Sequence, residues 1–519
     1  MKKIIKNIIT FLVLLICSIM FVGSYYYKTN YPAQEFDEIL FYMFNGAEHT
    51  SPDVINNVIK SCIVPVFILT GILILLTIST VKNKLVLNIK TKKKNHKMQI
   101  FPIKHKAIYI SIIFIFALIY TLFAFKIPIY IKHKLLKSTI YDYYYVDGNN
   151  ITITFPEKKQ NLIIIFAESM ENTVLSKENG GFWDYSLTPE LENLALKNIN
   201  FSNSEKIGGS YTAYATGFTA GGLIAQTAGI HVIVPAVNAN FYLGNGNYFS
   251  GAYTLGEILE KEGYVSEIMM GSDGSFGGRT QYFTTNGNYK IFDVNYAIEN
   301  GYMNEEDQVW WGFEDDKLFE WSKKEITNLA NSGRPFNYAL LTADTHFYNG
   351  YLSQNAELKY DSQYENVYAY SSKSINDFVN WIKAQDFYDN TTIVIVGDHL
   401  GMQDDFYDNK INDNNYQRTV YNVIINSRIP EANSKSRTFT SLDMYPTILA
   451  SLGVKIEGDR LGLGTNLFSG KPTLSEELGL DYLNTELRKT SLYYNEHILG
   501  EDYYLIKKAT EENEKNSNE

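Results

Sequence analysis

An α/β architecture, with N-terminal membrane-spanning helices followed by an α/β/α sandwich around a mostly parallel sheet, is what three observations in this sequence predict. From about residue 150 onward, short β-branched apolar runs alternate with amphipathic stretches, the pattern of βαβ units covered on both faces. Two of those runs stop on charged side chains, as strands do at the site-forming edge of an open α/β sheet. Three apolar stretches of membrane-crossing length precede them.

The apolar stretches cover about residues 4–25, 63–81 and 107–125. No small-residue cleavage site follows the first, and two more spans come after it, so an uncleaved anchor is expected in place of a signal peptide. Residues 1–150 carry 18 Lys against 7 acidic residues, +11, which leaves −22 for the rest of a chain whose total is −11. The lysines cluster before the first span (Lys2, Lys3, Lys6) and between the second and third (Lys82 to Lys106). Those two segments are therefore expected inside, and everything after Phe125 outside. Orienting charge explains the basic loop better than nucleic-acid binding does. The acidic remainder argues against a polyanionic partner.

Residues 1–130 are thus assigned to a three-helix membrane region and residues 131–154 to a juxtamembrane connector. In that connector the run from Tyr141 to Tyr145 suits a lipid interface. Residues 155–500 form the exported domain and residues 501–519 a polar tail. Cys17 and Cys62 both lie in or beside spans, so the exported domain must be held by its core and not by disulfides.

Strands are expected at Leu162–Phe166, Val265–Met270, Tyr338–Thr342, Ile393–Val396 and Val420–Asn426. Between them, Thr188-Pro189 opens a helix through Lys197, with Thr as the cap. Thr254–Glu262 stops at Gly263 and Asp443–Leu452 at Gly453. Asp315–Ala330 and Glu365–Ala384 are longer amphipathic helices.

Four of these strands end in chemistry. The first runs into Glu168-Ser169 and the fourth into Gly397-Asp398-His399. Two buried strands delivering carboxylates to one edge are costly unless something neutralises them. A shared divalent cation does so, and oxygen plus imidazole ligands suit Mn²⁺ or Zn²⁺. Arg279, in the glycine-rich Ser272–Arg279 loop, has the planar donor fork that fits a phosphate. His346, in Thr342-Ala-Asp-Thr-His346, is placed to act as a general acid or to orient a phosphoryl oxygen. The hydroxyl-rich stretch Gly208–Gly222 leads into a helix, where a Ser or Thr is a potential nucleophile. Composition does not say which one. Taken singly, each feature has a duller reading: a solvated loop, a surface arginine, a structural histidine, a capping threonine.

Together these residues resemble the alkaline phosphatase/sulfatase superfamily, and within it the membrane-anchored phosphoglycerol transferases, which include lipoteichoic acid synthases and periplasmic glucan phosphoglycerol transferases. The likeness covers about residues 155–470. It rests on Phe166-Ala-Glu-Ser169, Gly217-Phe-Thr-Ala-Gly-Gly222, Ser275-Phe-Gly-Gly-Arg279, Thr342-Ala-Asp-Thr-His346, Gly397-Asp-His399 and the Trp311–Asp316 segment. Lipoteichoic acid synthases carry a His before the arginine loop and a Trp within it; Met270 and Gly277 stand there in this chain, which shifts the likeness toward the glucan-type enzymes. The Cys/Ser-x-Pro-x-Arg signature of true sulfatases does not occur, which disfavours sulfate-ester hydrolysis.

The resemblance implies Thr219 as nucleophile and a cation held by Glu168, Thr219, Asp398 and His399, manganese in the first place, with zinc or magnesium as alternatives. Arg279 and His346 would bind substrate, with His346 also the acid. The implied reaction moves phosphoglycerol from phosphatidylglycerol to an extracytoplasmic glycan or polyglycerolphosphate acceptor through a phosphothreonine-type intermediate. The implied place is a bacterial inner membrane, as a multi-pass protein. Phosphoethanolamine transfer, hydrolysis by water and a catalytically inactive scaffold are the competing readings.

Overall fold

The computed structural model of the protein describes residues 2–31, 34–44, 52–81, 86–90, 95–99, 106–233, 248–413, 415–430 and 433–499. Lys82, Lys84, Lys92, Lys93, Lys94 and Lys104 of the orienting loop, and the polar tail, lie outside these. The described chain opens with α1 (Lys2–Asn30), α2 (Phe36–Phe44), a short helix at Pro52–Val58, α3 (Val64–Val81) and α4 (Lys106–Ala124). A π-turn at Ile59–Ile63 extends α3 upstream.

Two compact units emerge. The first contains three helices long and apolar enough to cross a membrane: Ile4–Asn30, Ile55–Ile78 and Lys106–Ala124. They pack through small polar contacts, such as Ser24 Oγ donating to Thr121 Oγ1 at 3.0 Å. Isoleucines 8, 68 and 112 meanwhile point outward, each at least half exposed. That is the inverse of a soluble protein's surface and is what a lipid-facing helix needs.

The second unit takes in residues 37–44 together with the chain from His133 onward. Its centre is a six-stranded sheet: β1 (Asn161–Ala167), β2 (Val265–Met270), β3 (Lys290–Phe292), β4 (Phe336–Leu341), β5 (Thr391–Gly397) and β6 (Asn422–Ile425). The spatial order is β3-β2-β4-β1-β5-β6. All pairings are parallel except β5 with β6 at the edge. The α/β/α sandwich expected from the sequence is the one observed. The five expected strands are present with ends shifted by up to two residues. The sixth, β3, is three residues long and begins on a lysine, too short for its pattern to stand out.

Every residue of β1, β4 and β5 is buried, as strands covered on both faces must be. Alternate β1 side chains feed two cores. Leu162, Ile164 and Phe166 pack with α6 (Thr219–Ala228), α7 (Leu255–Lys261) and α10 (Met444–Ser451). Ile163, Ile165 and Ala167 pack with α5 (Pro189–Lys197), α8 (Asp315–Asn331) and α9 (Gln363–Lys383). Thr254 closes a full capping box with Glu257, and Gly263 and Gly453 take the left-handed φ values of +84° and +82° that end their helices. Thr188 stands at the N-cap of α5 but its hydroxyl makes no capping bond, contrary to expectation.

Within the tyrosine run, Tyr143 is exposed but Tyr141 departs from the expected interface role. Tyr141 is buried in the second unit, its hydroxyl 2.7 Å from His231 Nδ1. Burial, with Lys134 nearby, pushes His231 down to about 3. The unfolded chain therefore binds a proton below about pH 6.5 that the folded chain refuses. Stability contributed by neutral His231 is complete above that pH and falls as pH drops toward 3, by roughly 1 kcal/mol per pH unit. Urea titrations of the full chain between pH 7 and 4 should show this slope, and His231→Gln should flatten it.

Candidate active site

The carboxyl ends of β1, β2, β4 and β5 carry the side chains that the sequence singled out. A small cleft opens above them, lined by Glu168, Thr219, Ser272, Phe276, Arg279, Trp311, Leu341, Thr342, Ala343 and His346. Asp398 and His399 do not line it but bring ligand atoms close to Glu168.

Glu168 follows β1 directly and is held on three sides. Its backbone N–H donates to Thr342 Oγ1 at 2.9 Å, its carbonyl accepts from Thr345 Oγ1 at 2.5 Å, and Ser169 Oγ donates to Oε1 at 2.8 Å. Ser169 adopts a left-handed φ of +55°, an uncommon conformation for serine that turns the chain off the strand at this point. Asp398 Oδ1 accepts from the N–H groups of Ser169 and His399, both at 2.8 Å. Asp398 Oδ2 is buried with no hydrogen-bond partner. The His399 ring sits 3.4 Å from that oxygen and 3.5 Å from Glu168 Oε1. Its Nδ1 lies 2.7 Å from the Leu400 carbonyl. A carbonyl only accepts, so Nδ1 carries the proton and Nε2 presents its lone pair inward.

One ligand atom from each of Glu168, Asp398 and His399 falls within 4.8 Å of the others. Burial, with the Glu168 charge beside it, raises the Asp398 carboxyl far above its usual range. Burial acts on Glu168 in the same sense, but His399, His346 and its hydrogen bonds outweigh it and hold Glu168 low. Two adjacent buried carboxylates and an inward imidazole lone pair, with one carboxylate oxygen lacking any donor, make a set that a divalent cation fits.

Thr219 is the first residue of α6, with Phe218 as its N-cap. Its Oγ1 lies 3.3 Å from His399 Nε2 and 3.4 Å from Glu168 Oε2. Thr216 Oγ1, by contrast, donates to the Ala213 carbonyl and accepts from Ser441. Among the hydroxyls that composition left open, Thr219 is the one the fold brings beside Glu168 and His399. The approach depends on Gly222. A Cβ there would lie 2.0 Å from the Asp398 carbonyl oxygen, which is backbone and cannot swing aside. Gly222→Ala should therefore lift α6 off the end of β5, at a cost of about 1–3 kcal/mol. A thermal melt and metal content of the variant, both expected to fall, check this.

Arg279 is buried, and its guanidinium donates to the Phe276 carbonyl at 2.9 Å, Ser272 Oγ at 3.1 Å and the Asp273 carbonyl at 2.6 Å. Its fork is thus fixed by its own loop before any ligand arrives. His346 Nδ1 faces the Phe347 carbonyl at 2.6 Å. Burial lowers its pKa although Glu168 opposes that. It stands as a neutral ring with Nε2 as an acceptor, so it must take up a proton before it can act as the acid the sequence suggested. Asp315 supports this loop by accepting from the N–H groups of Ala343 and Asp344, at 2.8 and 3.2 Å. The supporting roles of Ser169, Thr342 and Thr345 were missed from sequence, where short hydroxyl residues inside a motif carry no signal of whom they hold. The indole of Trp311, edge-on to His346 at 4.8 Å, keeps its N–H buried without a partner.

A family model described as Sulfatase matches residues 160–454. Phosphoglycerol transferase I of Citrobacter koseri is 30% identical over 340 residues, covering 62% of this chain and 41% of its own length. Phosphoglycerol transferase I of Escherichia coli O127:H6 is 31% identical over 335 residues, covering 61% and 40%. The chain thus spans about two fifths of these curated relatives. Among solved structures, the integral membrane protein lipooligosaccharide phosphoethanolamine transferase A of Neisseria meningitidis superposes with a TM-score of 0.50 at 11% identity, over 86% of this chain and 84% of that one.

Proposed function

Since the chain belongs to the sulfatase family, we propose that it is a membrane-anchored phosphoglycerol transferase whose nucleophile is Thr219. The reading has a phosphatidylglycerol donor, an extracytoplasmic glycan or polyglycerolphosphate acceptor, and a catalytic unit outside the membrane. The observation that carries it is the convergence of one helix-start hydroxyl, a three-ligand cation set, an arginine fork and a neutral histidine in one cleft. The name shared by the relatives supports the group transferred.

Glu168, Asp398 and His399 would hold the cation, with Thr219 Oγ1 beside them. A divalent cation bound there supplies the positive charge that lets an alcohol ionise near neutral pH and offsets charge on the phosphoryl group. In the first step the Thr219 Oγ–P bond forms as the P–O bond to diacylglycerol breaks, and the departing glycerol oxygen takes a proton. His346 Nε2, an acceptor at rest, relays that proton from the Thr219 hydroxyl to the leaving oxygen. In the second step the same nitrogen accepts the proton of the acceptor hydroxyl as its oxygen attacks phosphorus, and returns it to the Thr219 oxygen as the Oγ–P bond breaks. Arg279 meets the phosphoryl oxygens throughout, its orientation already set by Ser272 and Asp273.

Tethering suits a lipid donor, because an anchored site meets it at high effective concentration. Incubating the full chain in detergent with headgroup-labelled phosphatidylglycerol, with and without a glucan acceptor, tests the proposal. Label should reach the glucan. Label released only as free glycerol phosphate makes the protein a hydrolase, and transfer from labelled phosphatidylethanolamine in its place favours phosphoethanolamine as the group moved.

A further inference from the structure

Helix α2 lies between the first two apolar helices in sequence, 174 residues before Phe218 at its nearest end, yet its residues 37–44 belong to the same compact unit as the cleft. It is fastened there by charge: Asp37 accepts from Tyr214 Oη and pairs with Lys134 at 3.2 Å. The fastening brings Phe41 and Tyr42 between two catalytic loops. Phe41, fully buried, lies 5.1 Å from the Phe218 ring, next to Thr219 in sequence. Phe41 also lies against Gly277, where a Cβ would meet its ring at 3.7 Å. The Tyr42 ring is 5.5 Å from Phe218, edge-on, and stacks on Phe276 at 5.4 Å with a 29° tilt. Phe276 in turn contacts Trp311 at 5.4 Å and lies under the Arg279 guanidinium at 5.7 Å.

Gly277 and Gly278 are both left-handed, at φ +66° and +69°. The loop's own turns hold the guanidinium, with the Gly278 N–H donating to the Ser275 carbonyl at 2.9 Å and the Thr280 N–H to the Gly274 carbonyl at 2.7 Å, but two successive glycines put no side chain between this turn and its surroundings. The Tyr42 ring supplies a surface for that loop to rest on. Burial raises the Tyr42 pKa, and Glu38, Glu168, Arg279 and Asp398 are the charges that act on it.

Resting on the transferase reading above, we propose that Tyr42 is a positioning residue: its ring clamps Phe276 against Phe218, fixing Arg279 opposite Thr219, so that chain between the first two apolar helices completes the active site. A consequence is topological. Residues 37–44 and the chain after His133 share one side of the membrane, which an odd number of crossings between Phe44 and His133 cannot give and the two helices there do.

The test compares full-length wild type, Tyr42→Phe and Tyr42→Ala in detergent on two donors: headgroup-labelled phosphatidylglycerol and the soluble diester bis(p-nitrophenyl) phosphate. Tyr42→Ala should lose about 10²-fold in kcat/KM on both, the scale for a catalytic group displaced by about an ångström. Tyr42→Phe keeps the stacked ring and should stay within about threefold of wild type. Bound metal per chain should be unchanged in both. Wild-type rates in Tyr42→Ala, or equal losses in Tyr42→Phe and Tyr42→Ala, would overturn the proposal. If Tyr42→Ala melts below the assay temperature, Tyr42→Leu takes its place, since it fills the volume without stacking; the same loss is expected, and wild-type rates there would overturn the proposal equally. A wild type that cleaves the soluble diester but leaves phosphatidylglycerol intact refutes the donor reading while leaving the Tyr42 comparison decided on the diester.

Discussion

Thr219→Ala should abolish transfer, lowering the rate by about 10³-fold or more, because under the proposed mechanism the variant has no atom to form the bond to phosphorus. The fold should survive. Thr219 is half-buried at the start of α6, its hydroxyl faces Glu168 and His399, and alanine is the better helix former. Thr219→Ser, which keeps the oxygen and loses a methyl group, should retain measurable transfer. Headgroup-transfer rates read beside thermal melts separate the two outcomes: loss of rate with an unchanged melt is expected. An alanine variant that turns over like wild type would move the nucleophile elsewhere.

Asp398→Asn is the second large effect. The substitution keeps the shape of the side chain and its Oδ1, which accepts from Ser169 and His399. It replaces the unpartnered Oδ2 by an NH₂ group that points donors at the cation position. Metal affinity should fall by more than about 10²-fold, beyond what loss of an outer-shell partner costs, and transfer should fall with it. Metal content after dialysis and the rate at saturating Mn²⁺ or Zn²⁺ measure both. Retained stoichiometric metal would remove Asp398 from the ligand set.

Much of this site was legible because charge at the end of an apolar strand is expensive. Glu168, Asp398 and His399 announce themselves as the first polar residues after seven-residue buried runs, and Arg279 and His346 follow two more strands of the same sheet. Parallel strands put their carboxyl ends together, so strand assignment alone gathers these residues. Thr219 was harder. Ser210, Thr212, Thr216 and Thr219 look alike in composition, and what separates them is where α6 begins and how closely Gly222 lets it approach Asp398. Those are tertiary facts. Only a resemblance to known motifs singled out Thr219 beforehand.

Tyr42 was illegible for a different reason. It sits in an aromatic run between apolar segments, where a membrane-interface role accounts for it fully, and its partners Phe218 and Phe276 lie in loops with no pattern linking them to it. Tyr141 shows the opposite error: read as part of an interface run, this one tyrosine takes a core position beside His231, while Tyr143 stays exposed. The protonation of His346 depended on a single contact, Nδ1 to the Phe347 carbonyl, which no spacing rule contains.

Trapping the covalent intermediate tests the central claim most directly. Full-length protein, mixed with labelled phosphatidylglycerol without acceptor and quenched in acid, would be digested and its labelled peptide sequenced by mass spectrometry. Phosphoglycerol on Thr219, absent from the Thr219→Ala and Asp398→Asn variants, is the predicted result. Label on another residue, or turnover to product with no labelled peptide at any quench time, would contradict it.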